Sequence, residues 1–263
     1  MRITQYDIKT SKIRNNITIA CVSDLHGRKY EKVIDALIKT NADIILLAGD
    51  ILEVSNIFMS KRNANAVAFL EQAVKIAPVY YCFGNHEIYY SHTRKEENRI
   101  SEPRMLRENL EKISSFGIHL VNDSFLNITL GKNDEIFIGG IVCGEDMNPA
   151  LNKKTPDISF IDKYSRINSF KILLCHYPHY YEPYLKNTDF DLIISGHAHG
   201  GQWRFFGQGI YAPHQGLFPK YTSGIYDGRF IISRGAVNNT RPIPRLFNPT
   251  EILKINIIPN RIF

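Results

Sequence analysis

Short runs of apolar and β-branched residues alternate with amphipathic stretches along this chain, as between residues 17 and 83. Short apolar runs between turn-forming residues are typical of buried strands, and the stretches that separate them have the apolar periodicity of helices. Strands that are covered by helices or by a second sheet are apolar on both faces. The alternation therefore predicts a layered α/β fold built from βα units.

The predicted elements follow this alternation. Strands are predicted near Ile17–Val22, Asp43–Leu47, Val79–Phe83, Ile118–Val121, Phe125–Leu130, Glu135–Ile141, Lys171–Cys175, Leu192–Ser195, Phe230–Ser233 and Glu251–Asn256. Helices are predicted near Tyr30–Thr40, Arg62–Ile76, Thr93–Phe116, Ile158–Asn168 and His179–Lys186. The tract from Gly200 to Ser223 is rich in Gly, Pro and aromatic residues, which predicts a loop or an irregular hairpin. No repeat, linker or shift in composition divides the chain, so we expect a single domain over residues 1–263.

Polar side chains that are suited to metal binding follow five of the predicted strands. They occur in chain order as Ser23-Asp24-Leu25-His26-Gly27, Ala48-Gly49-Asp50, Gly84-Asn85-His86-Glu87, Cys175-His176-Tyr177-Pro178 and Ser195-Gly196-His197-Ala198-His199. Taken singly, each residue is more readily a cap or a turn former. In a mostly parallel sheet, however, the carboxyl ends of the strands meet at one edge, where open α/β folds bind ligands. Five such ends together predict one functional site.

Seven of these residues form a mixed set of oxygen and nitrogen donors, namely Asp24, His26, Asp50, Asn85, His176, His197 and His199. Such a set suits divalent metals of borderline softness, such as Mn, Fe, Co, Ni or Zn, and it is too large for one ion. A carboxylate shared by two ions about 3.5–4 Å apart would lower the pKa of a bridging water and hold both the attacking and the leaving oxygen of a phosphoester. We expect Asp50 to be that shared ligand.

Composition and cysteine spacing indicate the class of protein and its location in the cell. The chain has 263 residues, of which 44% are hydrophobic and 22% are charged, and these values argue against extended disorder. The first residues lack the apolar stretch of a secretory signal, and no apolar run approaches the about 20 residues of a membrane span. Cys21, Cys82, Cys143 and Cys175 have no CxxC spacing, so we expect buried thiols in a reducing compartment and a cytoplasmic location.

The net charge of +6 suits an anionic partner without specifying one. Between residues 94 and 108 the basic residues are interleaved with acids, which is typical of a solvated helix. The last third of the chain has basic residues with few acids nearby, namely Arg204, Lys220, Arg229, Arg234, Arg241 and Arg245. If these residues converge in space, they would form a positive surface that could bind nucleic acid.

The strand-end motifs resemble those of the calcineurin-like metallophosphoesterases. The family pattern D-x-H, G-D, G-N-H-D/E, H and G-H-x-H occurs in order at residues 24–26, 49–50, 84–87, 176 and 196–199. The segments HAHGGQ, YAPHQGLFPKYTSGIY and SRGAVNNTRPIPRLFNPTEI resemble the bacterial branch of YkuE-like and YaeI-like phosphodiesterases, whose relatives include UDP-2,3-diacylglucosamine hydrolases. The resemblance implies a four-layered α/β/β/α sandwich, with two mixed sheets packed face to face and flanked by helices.

The resemblance also implies a role for each residue of the motifs. One ion would be held by Asp24, His26, Asp50 and His199, and the other by Asp50, Asn85, His176 and His197. His86 is then the histidine that is not a ligand, and it would stabilise the transition state or protonate the leaving oxygen. A third imidazole is not needed for coordination, and a general acid with a pKa near neutrality is useful in this reaction.

Several nearby residues have open roles. Glu87 is expected to orient His86 or a metal-bound histidine, or only to cap the following turn. Many relatives have Asp or Asn shortly after the G-D motif, where this chain has Glu53, and this difference leaves the bridging ligand untouched. Many relatives of the branch also begin with a hydrophobic export or anchor segment, whereas residue 1 here lies close to the first predicted strand, so their location is not carried over.

Residues of the second half are candidates for substrate binding. We expect His179 and His214 to line the substrate cleft, and we expect Arg234 to bind substrate. An aromatic group would either form an apolar wall for a nucleoside or acyl group or pack beneath the long loop, and it comprises Phe205, Phe206, Tyr211, Phe218 and Tyr221. Packing beneath the loop is the favoured alternative.

These observations predict a metal-dependent phosphoesterase, either a phosphodiesterase or a pyrophosphatase, that acts on a small nucleotide-like or lipid-linked substrate. The reaction would use a hydroxide that bridges two divalent ions (Mn, Fe, Zn, Co or Ni). A nuclease acting on DNA or RNA is the alternative that the basic last third favours. A non-catalytic interaction module is a further alternative, although its usual mark is missing ligands and none is missing here. Peripheral contact with a membrane and the oligomeric state are left open.

Overall fold

The computed structural model describes residues 1–53, 63–87, 111–142, 155–237 and 244–260. Its strands in chain order are β1 Arg2–Thr10, β2 Ile17–Val22, β3 Ile44–Ala48, β4 Val79–Cys82, β5 Ile118–Leu120, β6 Ser124–Leu130, β7 Asp134–Ile141, β8 Phe170–Cys175, β9 Leu192–Ser195, β10 Arg204–Phe205, β11 Gln208–Gly209, β12 Tyr211–Ala212, β13 Gly216–Leu217, β14 Gly224–Tyr226, β15 Phe230–Ile232 and β16 Glu251–Pro259. Its α-helices are α1 Glu31–Thr40, α2 Ala64–Ala73 and α3 Ile158–Ser165, and residues 85–87 and 111–115 are also helical.

Two mixed sheets of six strands form the centre of the fold. The first has the order β1-β16-β2-β3-β4-β5, in which β2 to β5 are parallel and β16 is antiparallel to β2. The second has the order β14-β15-β9-β8-β7-β6, in which the four central strands are parallel and the two edge strands are antiparallel to their neighbours. The parallel strands of each sheet therefore present their carboxyl ends together.

The apolar side chains form three layers of core. Alternate residues of β2 point to opposite faces, so Ile19 packs between the sheets together with Ile172 of β8, whereas Ala20 packs outward with helices α1 and α2. On the outer face of the second sheet, Phe160 and Tyr164 of α3 pack on the strands. The order of layers is helix, sheet, sheet, helix, and the predicted α/β fold with two mixed sheets is confirmed.

Strand β1 was not predicted, because most of its residues are polar and at least partly exposed at the sheet edge. It pairs in parallel with β16 over its whole length, from Arg2 opposite Glu251 to Thr10 opposite Pro259. Such pairing brings together the two ends of the chain, and no local pattern reports it. All ten predicted strands are present, and their ends agree with the prediction to within three residues.

Two predicted segments differ from the structure. The helix predicted over His179–Lys186 is a 3-10 turn, Pro178–Tyr180, followed by a π-helical turn, Tyr181–Leu185. Pro183 lies inside this segment and lacks the backbone N–H that an α-helix needs, so regular helix there is unfavourable. The tract predicted as an irregular hairpin contains two short hairpins, β10–β11 and β12–β13. Most of the helix predicted over Thr93–Phe116 lies outside the described residues.

The aromatic residues of these hairpins do not pack beneath the loop as favoured. Phe205, Phe206, Tyr211 and Phe218 are exposed, and of the five only Tyr221 is buried. The hairpins are too short to cover their own side chains, since each strand has two residues.

The predicted thiols are buried and free at Cys21, Cys82 and Cys175, whereas Cys143 lies outside the described residues. Among the helices of the described ranges, none is long and apolar enough to span a membrane. The single-domain organisation and the cytoplasmic location stay predictions.

Candidate metal centre

The loops that follow β2, β3, β4, β8 and β9 meet at one edge of the molecule. Asp24 N donates to Gly49 O over 3.0 Å, so the loops after β2 and β3 run side by side. His176 Nδ1 lies 2.7 Å from Ala48 O, and His197 N donates to Asp24 Oδ1 over 3.0 Å. These contacts join loops of the first sheet to loops of the second, and the polar side chains face one another between them.

Six of the seven predicted ligands fall into groups whose ligand atoms lie within 4.8 Å of one another. The groups are Asp24, His26 and His199; Asp50, His176 and His197; and His26, Asp50 and His86. The first two groups contain residues that were predicted to hold separate ions. The third group places His86 next to His26 of the first group and Asp50 of the second. The remaining predicted ligand, Asn85, is buried at the start of the helical turn that follows β4.

Asp50 lies between the groups. Its Oδ2 atom is 3.1 Å from His176 Nε2, 3.8 Å from His26 Nε2 and 3.9 Å from His86 Nε2. Its other oxygen accepts a hydrogen bond from His86 N over 2.9 Å, so the carboxylate is held in one orientation. A carboxylate that is fixed in this way has one oxygen directed at histidines of each group.

Five of the predicted ligands have a left-handed backbone. The φ angles are 54° at Asp24, 51° at His26, 54° at Asp50, 65° at His197 and 46° at His199. This conformation costs a residue with a side chain about 1–2 kcal/mol, and it persists only where the surrounding structure imposes it. Because strain of this kind collects at functional sites, the backbone supports the same site as the side chains.

Glycines let the loops approach the ligands closely. A Cβ atom on Gly84 would lie 2.7 Å from Asp50 N and 2.9 Å from His176 Cδ2, and one on Gly196 would lie 2.6 Å from Asp24 Oδ2. Real Cβ atoms do not make such contacts, and the neighbouring groups are themselves held by the loops. These positions therefore require glycine for space.

We expect Gly84→Ala to destabilise the fold by about 1–3 kcal/mol, because the added methyl would overlap the Asp50 loop and His176. The measurement is the free energy of unfolding in urea, together with the rise in melting temperature on adding Mn²⁺, which we expect the variant to lose. Gly117→Ala is the control, since its Cβ would meet no atom within 4 Å and only its φ of +83° is unfavourable. Gly117→Ala should lower the stability through its backbone alone and keep the rise in melting temperature with Mn²⁺. Loss of that rise in both variants, or in neither, would contradict the close-packing argument.

The donor set fits divalent metal ions. Asp24 Oδ2, Asn85 Oδ1 and His197 Nε2 are buried and have no hydrogen-bond partner, a state that is costly unless another group binds them. His26 Nε2 and His199 Nε2 lie 3.2 Å apart, close to the separation that two bonds of about 2.1 Å to a shared ion produce. Carboxylate, amide and imidazole donors together suit Mn, Fe, Co, Ni or Zn.

Burial and neighbouring charges set the protonation of the histidines. Burial lowers the pKa of His26, His197 and His199, so these imidazoles are neutral, as metal ligands must be. Burial also acts to lower the pKa of His176, but the nearby Asp50 carboxylate outweighs it and raises the pKa to about 10. The attraction acts over the 3.1 Å between Asp50 Oδ2 and His176 Nε2.

His86 is oriented by Glu53, whose role was not foreseen. His86 Nδ1 lies 3.0 Å from Glu53 Oε1, which leaves Nε2 directed toward Asp50 at 3.9 Å. Burial acts to lower the pKa of His86, but the Asp50 charge and the hydrogen bond to Glu53 raise it to about 9. The only signal in the sequence was that Glu53 stands where relatives have Asp or Asn.

Glu87 binds the backbone around Asp50 and does not orient His86. Its carboxylate accepts hydrogen bonds from Asp50 N (2.9 Å), Leu52 N (2.9 Å) and Gly84 N (2.7 Å), and also from Tyr81 Oη (2.5 Å). The side chain therefore holds together the loops after β3 and β4, which carry Asp50 and Asn85.

Two of the predicted substrate-binding residues border the centre. The ring of His214 stacks on that of His197 with 5.2 Å between centroids, and the ring of His179 lies 5.1 Å from that of His214. Tyr177 lies against all three rings. Together these side chains form an aromatic wall beside one metal-ligand group.

Arg234, the third predicted substrate-binding residue, is paired with a buried carboxylate. Its Nε atom lies 3.6 Å from Glu251 Oε2, and its role in substrate binding stays a prediction. Arg245 reaches the centre, with Nη2 3.1 Å from His199 Nδ1. Burial lowers the pKa of Arg245 to about 10, so the group is cationic at neutral pH. Arg245 had been noted only as one of the basic residues of the last third.

Comparison with known proteins agrees with this geometry. Residues 17–201, which span all five motif loops, match the model of the calcineurin-like phosphoesterase family. The chain belongs to that family. The predicted superfamily is therefore confirmed for this calcineurin-like phosphoesterase.

Relatives of this calcineurin-like phosphoesterase occur in several bacteria. An uncharacterized metallophosphoesterase of Campylobacter jejuni is 28% identical over 97% of this chain and 63% of its own length. One of Aquifex aeolicus is 24% identical over 98% of this chain and 92% of its own length. Among solved structures, a phosphopantetheinyl hydrolase of Mycobacterium tuberculosis is similar, with a TM-score of 0.45 and 14% identity over 82% of this chain and 88% of that protein. The chain spans less than two thirds of the Campylobacter and Helicobacter pylori relatives.

Proposed function

We propose that this chain hydrolyses a phosphodiester or pyrophosphate with the help of two divalent metal ions. The observation that carries the proposal is the pair of buried ligand groups that meet at Asp50, which belongs to one group and lies 3.8 Å from His26 of the other. The left-handed backbone at five ligands and the unpartnered buried donors support it. Family membership makes phosphoester hydrolysis the reaction to test first.

Each residue has a part in this proposal. One ion would be held by Asp24, His26, Asp50 and His199, and the other by Asp50, Asn85, His176 and His197. The ions, when bound, supply Lewis acidity that polarises the phosphoester and lowers the pKa of water toward neutrality.

His86 Nε2 would deliver a proton to the leaving oxygen, while Glu53 keeps the ring turned toward Asp50. Arg245, beside His199, would bind a phosphoryl oxygen and offset its developing charge. The wall of Tyr177, His179 and His214 would contact the group that the phosphate carries.

The finer assignment is to the YkuE-like and YaeI-like branch. The last segment that resembles the branch contains Arg245 and Asn248, and both contact the loop of His199: Asn248 Nδ2 donates to His199 O over 2.7 Å. The assignment is supported because a segment that resembles this branch places two of its side chains against the His199 loop. The substrate proposed on this basis is small and phosphorylated, either nucleotide-like or lipid-linked.

The nuclease alternative is not favoured by the positions of the basic residues. Arg229 donates to the carbonyls of Lys186, Thr188 and Phe190. It precedes β15, at the end of the parallel strands opposite the ligands. Arg234 pairs with Glu251. Arg229 is therefore separated from the ligands, and the charge of Arg234 is offset by Glu251.

The test is hydrolysis of bis(p-nitrophenyl) phosphate by protein reconstituted with Mn²⁺, compared with the monoester p-nitrophenyl phosphate. We expect turnover of the diester with Mn²⁺, its loss on chelation, and its recovery when Mn²⁺ is restored. Mn²⁺ should also raise the melting temperature, because ligands that bind only the folded state stabilise it. Turnover that survives complete chelation, or no melting shift at millimolar Mn²⁺, would contradict the proposal.

A further inference from the structure

Large apolar side chains are exposed beside the metal centre. Of the exposed large hydrophobic residues among the described ranges, eight of twelve lie between residues 205 and 247, namely Phe205, Phe206, Tyr211, Leu217, Phe218, Ile225, Leu246 and Phe247. The exposed fraction is 68% for Phe218, 78% for Phe247 and complete for Phe206. Single exposed apolar residues are normal on a protein surface, but a concentration of this kind marks an interaction site.

Three of these phenylalanines also have an unfavourable backbone. The φ angle is 49° at Phe206, 50° at Phe218 and 52° at Phe247. Glycine and asparagine are the usual residues in this left-handed region, and a bulky side chain costs about 1–2 kcal/mol there. Because the rings are exposed, the folded chain gains little burial in return. Packing within the described part of the chain therefore does not explain why these positions hold phenylalanine.

The exposed side chains belong to neighbouring segments. The rings of Phe205 and Phe247 lie 5.7 Å apart between centroids, and Arg204 N donates to Leu246 O over 3.0 Å. Gln208 Nε2 donates to Pro219 O over 2.9 Å, which places the turn that holds Phe218 beside the β10–β11 hairpin. We call the set formed by Phe205, Phe206, Phe218, Leu246 and Phe247 the phenylalanine rim.

The rim borders the opening of the metal centre. Arg245, directly before Leu246, reaches His199, and Gly201, at the end of the His199 turn, accepts a hydrogen bond from Ile210 N over 3.1 Å. Ile210 O in turn accepts a hydrogen bond from Phe218 N over 2.9 Å. Backbone contacts thus connect the loop that carries a metal ligand to the turns that carry the rim.

The segment that carries the rim has an excess of positive charge, with six Lys and Arg and one acid from residue 202 to residue 250. Arg204 and Arg245 directly adjoin rim residues in the chain, whereas Lys220 pairs with Glu182 and Arg234 with Glu251. Arg204, next to Phe205, donates to the neutral acceptors Gly200 O and Thr222 Oγ1 over 2.8 and 3.0 Å, and these bonds leave its charge in place. Exposed aromatic side chains together with cations complement an anionic lipid surface.

We propose that the phenylalanine rim inserts into the interface of a membrane that contains anionic phospholipid. The apolar groups stand on the tips of turns, a shape suited to insertion among headgroups, whereas the anchors of protein interfaces fill pockets in a packed surface. Docking in this way would hold the metal centre at the level of the headgroups. The substrate class would then be a phosphoester of a lipid headgroup, a step that rests on the proposed function.

The test is cosedimentation of the full chain with vesicles of phosphatidylcholine containing one quarter phosphatidylglycerol, and with vesicles of phosphatidylcholine alone. We expect binding to the anionic vesicles and weaker binding to the neutral ones. The double variant Phe206→Asn and Phe247→Asn should lower the partition coefficient at least about 10-fold, because each ring loses apolar burial in the interface. Its melting temperature should be unchanged or higher, since Asn favours the left-handed backbone.

Two controls distinguish a failure of the docking surface from a failure of the proposed function. Ile38→Asn removes an exposed apolar residue of α1, in another layer of the fold, and should leave vesicle binding unchanged. Hydrolysis of the soluble aryl diester should be equal in the wild type and the double variant. Vesicle binding without any diester hydrolysis would retain the docking surface and remove the proposed function.

Other results would overturn the docking proposal. These are no binding to anionic vesicles, equal binding by the double variant, or light scattering that shows a wild-type dimer which the double variant abolishes. The last result would identify a second copy of the chain as the partner of the rim.

Discussion

Asp50→Asn is expected to lower kcat/KM for an aryl phosphodiester about 10³-fold, equivalent to about 4 kcal/mol of transition-state stabilisation. The amide keeps the shape of the side chain and one oxygen, but it removes the charge next to His26, His86 and His176. A neutral amide is a poor ligand for two cations, so we expect the rise in melting temperature with Mn²⁺ to shrink as well. The measurements are steady-state kinetics and thermal unfolding at several Mn²⁺ concentrations.

The matched control for this substitution is Asp162→Asn, which neutralises an exposed carboxylate on α3, a helix that covers the outer face of the second sheet. It should change neither the turnover nor the metal-dependent shift in melting temperature. If Asp50→Asn hydrolyses the diester as well as the wild type does, then Asp50 is not the shared ligand and the two-ion mechanism is wrong.

His86→Ala is expected to lower kcat about 10²-fold for a diester with a phenol leaving group, with little change in KM. The loss should be smaller for p-nitrophenol, because that leaving group is a weak base and departs without a proton. A residue that only supports the fold would slow both substrates equally. The comparison of the two leaving groups, at saturating Mn²⁺, therefore reports proton delivery.

Glu53→Gln provides a graded control for this role. The amide can still contact His86 Nδ1, but it no longer offers the negative charge that helps to raise the pKa of the imidazole. We expect a loss that is smaller than that of His86→Ala and has the same dependence on the leaving group. Equal losses with both leaving groups in the two variants would assign His86 a structural role.

The layered fold could be predicted from the sequence because the pattern that indicates each strand or helix lies within that segment itself. The runs that form β2, β3, β8 and β9 are fully or almost fully buried, and each is short and mostly apolar. Strand β1 could not be predicted in this way, since an edge strand with polar residues is defined by its pairing with β16. That pairing depends on the two ends of the chain meeting, which is a property of the whole fold.

The candidate ligands were identified by their position directly after strands, and the structure brings them together as that position predicts. Glu53 and Arg245 were not identified, because each acts through a partner that is distant in sequence. Glu53 contacts His86, and Arg245 contacts His199 from a segment 46 residues later. A charged residue in a loop has no sequence signal of its own, and only the folded loops decide which imidazole it contacts.

The residue types at the ends of five strands predict the donor chemistry of the candidate metal centre, because parallel strands bring their carboxyl ends to one edge of each sheet. The meeting of those two edges is decided by the packing of the sheets. The sequence pattern does not predict which side chains are exposed or which residues they contact. Whether Phe206 packs beneath its loop or faces solvent, and whether Arg234 or Arg245 reaches the centre, depend on the paths of short hairpins and on long-range contacts. The tertiary structure decides both questions, because the contacts join residues that are far apart in the sequence and a local sequence pattern contains no information about them.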